Sequence, residues 1–414
     1  MQNGYKANDS IFNYIVFQEG GSYKAKNQTS SLIDYSSASA TDTINQATAT
    51  GKYVYLKPGT YLLTSNVLIL NQKNARIVSD GAIIIGNGYS IIIKGDNYTT
   101  SQYNVVSGLT IINGTIRVEN SFATTIQDMI FENSATAIEL INTYQWTEGT
   151  KIDNIHFTNC IESIVFRTPS AGNATGSYAS TQITRCFFNQ IDNSVGIIVE
   201  QGAEFSDSSF SDSRMWLAEN GKSNQTGLLV DGSMFQTLLS SVVFESFADT
   251  PERVYAITLG PHTNPAPILD NGVSFLGNWT ARIYNPNNIW ISGAASVFKR
   301  TEDIPVATNN VFGQVVYIHD RPLTIASLKP KIMVNGLAES ELVTVRVRLE
   351  YVDNSISQSV ERLFMNTTSI WLTDDEILRL LPSQNMIWAL LIDAKSNQES
   401  TAASVSIEVY GITT

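Results

Sequence analysis

Apolar residues in this chain come in short runs, each closed by a turn, and not in long amphipathic stripes. One phrase recurs through the middle of the sequence. Met129–Asn133, Ile155–Asn159, Arg185–Asn189, Ser208–Asp212 and Val242–Ser246 each carry a short extended run that ends in Phe, with Asn, Asp or Ser two places later. The Phe positions 131, 157, 187, 210 and 244 lie 23 to 34 residues apart, inside the range of repeat architectures. A helical repeat would need amphipathic stretches of ten or more residues between the phrases, and there are none. Constant phrasing at irregular spacing predicts a parallel β-solenoid, in which strands stack on a fixed inward residue and turns vary in length. The Asn two places after Phe is expected to form an amide ladder at the turn.

Other segments extend this reading. Residues 1–37 are polar, with two short extended pieces at Tyr14–Phe17 and Ser22–Ala25, and read as an adaptor or lead-in. Thr41–Gly51 reads as a helix: Thr41 caps it, Ile44 and Ala47 share a face, and Gly51 ends it. Such a helix would cover the open end of a solenoid, whose unpaired edge otherwise invites aggregation. Strands follow at Tyr53–Leu56, Val67–Leu70, Ile83–Ile85, Ile91–Ile93 and Ile116–Val118. Each Phe phrase is then followed by a second strand, at Ile138–Ile141, Ile164–Arg167, Ile197–Glu200 and Leu228–Asp231. Residues 250–300 are rich in Pro and Trp and read as terminal coils giving way to irregular structure. Beyond 305, period-two alternation in Gln314–Ile318, Lys331–Val334, Val343–Leu349, Ile387–Ile392 and Ser404–Tyr410 predicts an antiparallel β-sandwich. Within it, Thr373–Glu376 is a capping box for one short helix closed by Pro382. The expected fold class is therefore all-β: a lead-in (1–37), a parallel β-helix with its capping helix (38–300), a linker (301–325) and a C-terminal sandwich (326–414).

Composition narrows the function. Charged residues make up 15% of 414, and the net charge is -12. An acidic balance argues against nucleic acid or an anionic membrane as the main partner. No run approaches the roughly 20 apolar residues of a membrane span, and the first residues lack the features of a signal peptide. A surface of amides and hydroxyls without an export signal suits a virion protein. Cys160 and Cys186 fall out of register with one another and read as free thiols.

The opening Asp42-x-Ile44-Asn45-x-Ala47, followed by Pro58-Gly59-x-Tyr61, resembles that of the pectin-lyase-like right-handed β-helix superfamily. The piece Tyr23–Asn27 is similar to the lead-in of such helices in phage and archaeal-virus proteins. The resemblance covers roughly residues 20–300. It implies a viral spike that binds cell-surface glycan, forms a homotrimer, and meets other virion proteins through its N-terminal segment. It also implies a polysaccharide hydrolase or lyase, or a structural component without a ligand, as alternatives. Within the resembling stretch the adjacent Asp residues and Gly-His-Gly of polygalacturonases are absent, and the calcium-binding Asp cluster of pectate lyases has no counterpart.

No cofactor or metal is expected: His156, His262 and His319 are scattered, and no Cys or His pair has ligand spacing. One charged column is a candidate active site. Aligning the second strands brings Arg167, Glu200 and Asp231 onto one outward edge, with Asp231 two coils beyond Glu200. That places the carboxylates on the order of 9–10 Å apart, near the separation in inverting glycosidases. Arg167 would bind an acidic sugar or lower the pKa of Glu200; a solvated Arg–Glu pair is the plain alternative. Trp146, Tyr144, Tyr178 and Trp216, with Arg214 and Glu219, are candidates for stacking on and bonding to sugars. Their plain alternative is packing against neighbouring turns or subunits.

Overall fold

The computed structural model describes residues 12–169, 175–218, 224–270, 272–286, 292–293, 296–309, 311–312, 316–318, 329–351, 355–373, 376, 387–399 and 401–413. From Tyr53 to Tyr284 the chain winds as a parallel β-solenoid. Each coil adds to a first sheet and then contributes one strand to a second, nine-stranded sheet. The second sheet runs from Val67–Leu70 through Ser90–Lys94, Thr115–Glu119, Thr136–Ile141, Glu162–Phe166, Val195–Val199, Gln225–Val230 and Val254–Leu259 to Ala281–Tyr284. A narrow third side is marked by isolated parallel bridges from Lys73 to Gln102, Phe122 and Glu148, and from Ser177 to Glu204 and Ser233.

Alternation explains why these segments are strands. Every second residue points inward, and successive coils superpose those residues. Val67, Ile91, Ile116, Ile138, Ile164, Ile197, Leu228, Ile257 and Ile283 form one such column on the second sheet. On the first sheet Tyr61, Ile84, Ile111, Phe131, Phe157, Phe188, Met215, Phe244 and Phe275 form another. Phe131 and Phe157 stack at 5.6 Å between ring centroids, Phe157 and Phe188 at 4.8 Å.

This register corrects the phrase in two places. Phe188, not Phe187, is the inward residue of its coil, and Phe187 faces outward. Phe210 belongs to a different column, with Ile126, Ile152, Ile183 and Leu239, and Met215 takes the Phe position of that coil. The Asn corner also differs. Asn133 and Asn159 adopt left-handed backbone (φ 54 and 56) and donate their N–H groups to Thr158 and Asn189 of the next coil. Backbone geometry makes this corner, a conformation Asn tolerates better than most residues. A second left-handed column, within a strand at Gly108, Asp128 and Asn154 and between two short strands at Arg185, Asp212 and Ser241, has φ from 50 to 75. It bends the first sheet at one place in each of these coils.

At the N-terminal end, Tyr14–Glu19 and Ser22–Asn27 pair antiparallel, and Tyr14–Glu19 also pairs in parallel with Tyr53–Leu56. The helix Ala40–Thr50 packs over this end, burying Ile44 and Ala47. Its cap is Ser39, not Thr41: the Asp42 N–H donates to Ser39 Oγ at 3.2 Å. Thr41 is buried, and its hydroxyl accepts the Thr64 N–H at 3.0 Å. Gly51 closes the helix where a Cβ would lie 2.7 Å from the Tyr14 ring. Both cysteines are free and buried. Burial pushes the Cys160 thiol up to about 11 and the Cys186 thiol up to about 12.

The first sheet ends on the two-residue strands Ile268–Leu269 and Ser292–Gly293. A four-stranded and a five-stranded sheet follow, paired almost throughout antiparallel, with a core of their own that includes Ile332, Val345, Val347 and Ile407. Ser296–Ile304 already belongs to this part, because it pairs along its whole length with Ser404–Thr413. The boundary drawn at residue 300 therefore falls inside a strand. Thr373 and Glu376 exchange the two hydrogen bonds of the capping box, at 3.3 and 2.8 Å. The remainder of that short helix lies outside the described residues.

The register yields a sharp test. Phe188→Ala removes a fully buried ring and is expected to cost about 3–5 kcal/mol, whereas Phe187→Ala costs less than half of that. Urea unfolding of the two variants measures the difference; equal losses would contradict the assigned inward face.

Candidate functional site

The position that closes each strand of the second sheet forms an outward edge. In consecutive coils it is held by Lys94, Glu119, Ile141, Arg167, Glu200, Asp231 and Gly260. Arg167, Glu200 and Asp231 share this column as expected, but on three successive coils. The Asp231 N–H bonds the Val199 carbonyl at 2.8 Å, so Asp231 lies one coil beyond Glu200, not two. Their backbones are separated by a single strand spacing, about 4.8 Å.

Arg167 sits inside a cage of carboxylates. Its Nε lies 2.8 Å from Glu139, Nη1 2.7 Å from Glu200, and Nη2 2.9 Å from Glu162 and 3.3 Å from Thr136 Oγ1. Burial works against the charged guanidinium, but Glu200, Glu139 and Glu162 outweigh it and raise the Arg167 pKa. All three nitrogens are engaged, so an acidic sugar would compete with Glu139, Glu162 and Glu200 for this cation. Toward the N-terminus the chain of charges continues. Arg117 lies 3.1 Å from Glu119 and 3.8 Å from Glu139, and Lys94 lies 2.7 Å from Glu119. Burial pushes the Glu119 carboxyl up, yet Lys94, the Thr143 hydroxyl and Arg117 together hold it below its usual range. Toward the C-terminus, Glu200 Oε2 accepts the Thr168 N–H at 2.7 Å. Asp231 accepts the His262 backbone N–H at 3.0 Å and lies 3.1 Å from His262 Nδ1. Gly260 makes room for this: a Cβ there would be 2.3 Å from Asp231 Oδ1.

Sequence reasoning missed Glu139, Glu162 and His262. Glu139 and Glu162 fall on neighbouring columns of the same outward face, which a single-column alignment does not sample. His262 follows directly on the next coil, and its signal was the register that continues from Asp231 to Gly260.

The aromatic candidates separate into three places. Trp146 stacks on Tyr98 with centroids 3.8 Å apart and meets Phe122 edge-on at 5.9 Å. Tyr144 beside it is exposed, and the Asn120 amide oxygen holds this turn by accepting the Thr143 and Tyr144 N–H groups at 3.1 Å each. This turn adjoins the charged edge, since Thr143 Oγ1 donates to Glu119 at 2.5 Å. Tyr178 is not available to a sugar: it is fully buried, packs edge-on against Phe166, and donates its hydroxyl to the Arg167 carbonyl at 2.6 Å. Trp216 and Arg214 lie on the outer face of the first sheet, away from this edge. There Trp216 packs edge-on against Phe187 and Phe247, and Arg214 pairs with Glu245 at 2.6 Å. Glu219 lies outside the described residues. Among the described residues, no group of three His, Cys, Asp or Glu is arranged to hold a metal ion.

Comparison with known proteins places this geometry. The family model described as rhamnogalacturonase A/epimerase, pectate lyase-like, matches residues 22–230, just over half of the chain. No curated protein matches. Among solved structures, similar chains include the catalytic domain of a GH87 alpha-1,3-glucanase in complex with tetrasaccharides. It is 10% identical at a TM-score of 0.39, covering 62% of this chain and 56% of that one. The present chain thus spans little over half of that catalytic domain. A tailspike protein of E. coli bacteriophage HK620 is 8% identical at a TM-score of 0.37, covering 90% and 88% of the two chains. The enzymatically active domain of tailspike protein 4 of bacteriophage CBA120 is 11% identical at a TM-score of 0.29, covering 97% and 71%.

Replacing Arg167 with Met leaves Glu139, Glu162 and Glu200 facing one another. The expected cost is about 3 kcal/mol at neutral pH, toward the lower end of what breaking a buried pair costs. The deficit should shrink as the pH is lowered from 7 toward 3, because protons neutralise carboxylates that no longer face a cation. Thermal unfolding of wild type and variant between pH 7 and pH 3 measures this; a deficit that does not change with pH would remove the cage from the account.

Proposed function

Starting from a chain that belongs to the rhamnogalacturonase A/epimerase, pectate lyase-like family, we propose that it is a virion spike that attaches to cell-surface glycan along the edge of its second sheet. One observation carries this reading. A half-buried aromatic stack, Trp146 on Tyr98, with exposed Tyr144 beside it, adjoins a row of partly exposed carboxylates and guanidinium groups. Aromatic faces stack on the apolar faces of sugar rings, while carboxylates accept hydrogen bonds from hydroxyls. Both groups here are fixed by a rigid scaffold and flanked by irregular turns, where binding function concentrates.

The second reading is depolymerisation of that glycan, and the adjacent coils of Glu200 and Asp231 favour it. A one-coil separation suits a retaining glycosidase, whose carboxyl groups stand about 5–5.5 Å apart, better than the inverting geometry expected from a two-coil separation. In this reading Glu200 is the nucleophile and Asp231, oriented by His262, the acid.

We further propose side-by-side assembly into a homotrimer. The outer face of the first sheet bears exposed apolar side chains on several coils, with Leu62, Ile83, Ile130, Phe247 and Leu276 each 36–47% exposed among polar neighbours such as Thr110, Glu132 and Thr158. A second copy of this chain has the same coil spacing and would cover these side chains by packing alongside.

Incubated with polysaccharide from the surface of host cells, wild type is expected to bind, and Trp146→Ala to bind roughly tenfold more weakly. Trp216→Ala should bind as wild type does. Equal loss in both variants would contradict the placement of the site. New reducing ends from wild type but not from Glu200→Gln would support depolymerisation, and equal release from both would exclude Glu200 as nucleophile. For assembly, mass photometry should show trimers for wild type and monomers for Ile130→Asp; monomeric wild type at micromolar concentration would overturn this face as an interface.

A further inference from the structure

The charge arrangement of the edge carries a statement about the kind of sugar it takes. We infer that the site, if it binds glycan as proposed above, accepts neutral or amino-bearing sugars and rejects polyuronates. Five carboxylates, those of Glu119, Glu139, Glu162, Glu200 and Asp231, face three permanent cations, Lys94, Arg117 and Arg167. His262 adds a charge only when protonated, and its Nδ1 is turned to Asp231.

Every one of those cations is already paired. Arg167 is shared among three carboxylates, Arg117 lies between Glu119 and Glu139, and Lys94 holds Glu119. Lys94 and Arg117 are the more exposed groups at the N-terminal end of the edge (42% and 32%), whereas around Arg167 (24%) the carboxylates of Glu162, Glu200 and Asp231 are the more exposed (28%, 29% and 29%). A uronate entering beside Glu162, Glu200 and Asp231 meets surplus negative charge, and the permanent cation there, Arg167, is already bonded to three carboxylates. Hydroxyl and ammonium groups meet acceptors with lone pairs to spare. The chain's overall charge of -12 adds repulsion at longer range in the same direction.

Binding to a glycan array that pairs uronate-containing glycans with their carboxyl-reduced forms tests this directly. The expected result is binding to neutral, carboxyl-reduced or amino-sugar members, with each acidic counterpart about tenfold or more weaker at low salt. That gap should narrow as salt rises. The double variant Glu162→Gln with Glu200→Gln releases two of the three partners of Arg167 and should gain affinity for the acidic members. The single variant Glu200→Gln should move part of the way, and circular dichroism confirms that both variants are folded. Preferential binding of acidic members by wild type overturns the inference while leaving glycan recognition standing. An unchanged preference in folded double variant also overturns it. A wholly blank array overturns glycan recognition itself, and the inference with it.

Discussion

The hydrogen bonds that join one coil to the next are the constraint from which the rest of the structure follows. They fix the spacing of equivalent residues at about 4.8 Å, whatever those residues are. Inside, that spacing puts the side chains of one column in van der Waals contact, so a column stays sound if its members are apolar and pack on one another. Phe131, Phe157 and Phe188 meet the requirement by stacking nearly parallel, with interplanar angles of 14° and 17°. Outside, the same spacing forces charges into close company. Glu139, Glu162 and Glu200 would repel one another on neighbouring coils, and Arg167 among them is what makes the arrangement tolerable. The order of the core and the charge pairing of the edge thus have one cause.

The mid-strand bend shows how a local cost is offset. Asp128, Asn154 and Asp212 adopt left-handed backbone with little penalty, but Arg185 does not belong to the residue types that favour it (φ 53). Its side chain compensates. The guanidinium reaches Asp153 with Nε at 2.8 Å and Nη2 at 2.5 Å, and Thr184 and Lys151 converge on the same carboxylate. Burial alone would push the Asp153 carboxyl up; these partners instead bring it down to about 2. Its contribution to stability is therefore in place above about pH 4 and fades as pH falls toward that lower value.

Much of this was legible in the sequence, for a definite reason. Columns of one chemical type leave a repeating phrase, and the Arg167, Glu200 and Asp231 column followed from aligning strands on apolar positions. The errors occurred where two readings have nearly equal apolar character. Phe187 and Phe188 are adjacent and identical, so composition alone does not tell which points inward. Phe210 sits in the strand before the bend and Met215 in the strand after it, so the aromatic signal marked the wrong half of the coil. That shift is a register problem, and the extra coil assigned between Glu200 and Asp231 is another. Tyr178 was misplaced because its neighbours in sequence are polar turn residues, while the ring fills space under a neighbouring coil beside Phe166. Ion-pair partners such as Glu139 and His262 come from other coils, and only the pairing of strands brings them to the edge.

The short strands near the end of the first sheet bear on how the molecule carries force. Hydrogen bonds between coils lie along the long axis of the solenoid, so a pull on its two ends loads the coils in series. In such a series the least-bonded step yields first. The pairings of Ile268–Leu269 and Ser292–Gly293 span two residues each, whereas Thr125–Glu132 and Lys151–Thr158 pair over seven. Every step bears the same tension, and the first sheet has its shortest pairings, among the described residues, near its C-terminal end, beyond the coils that carry Arg167, Glu200 and Asp231.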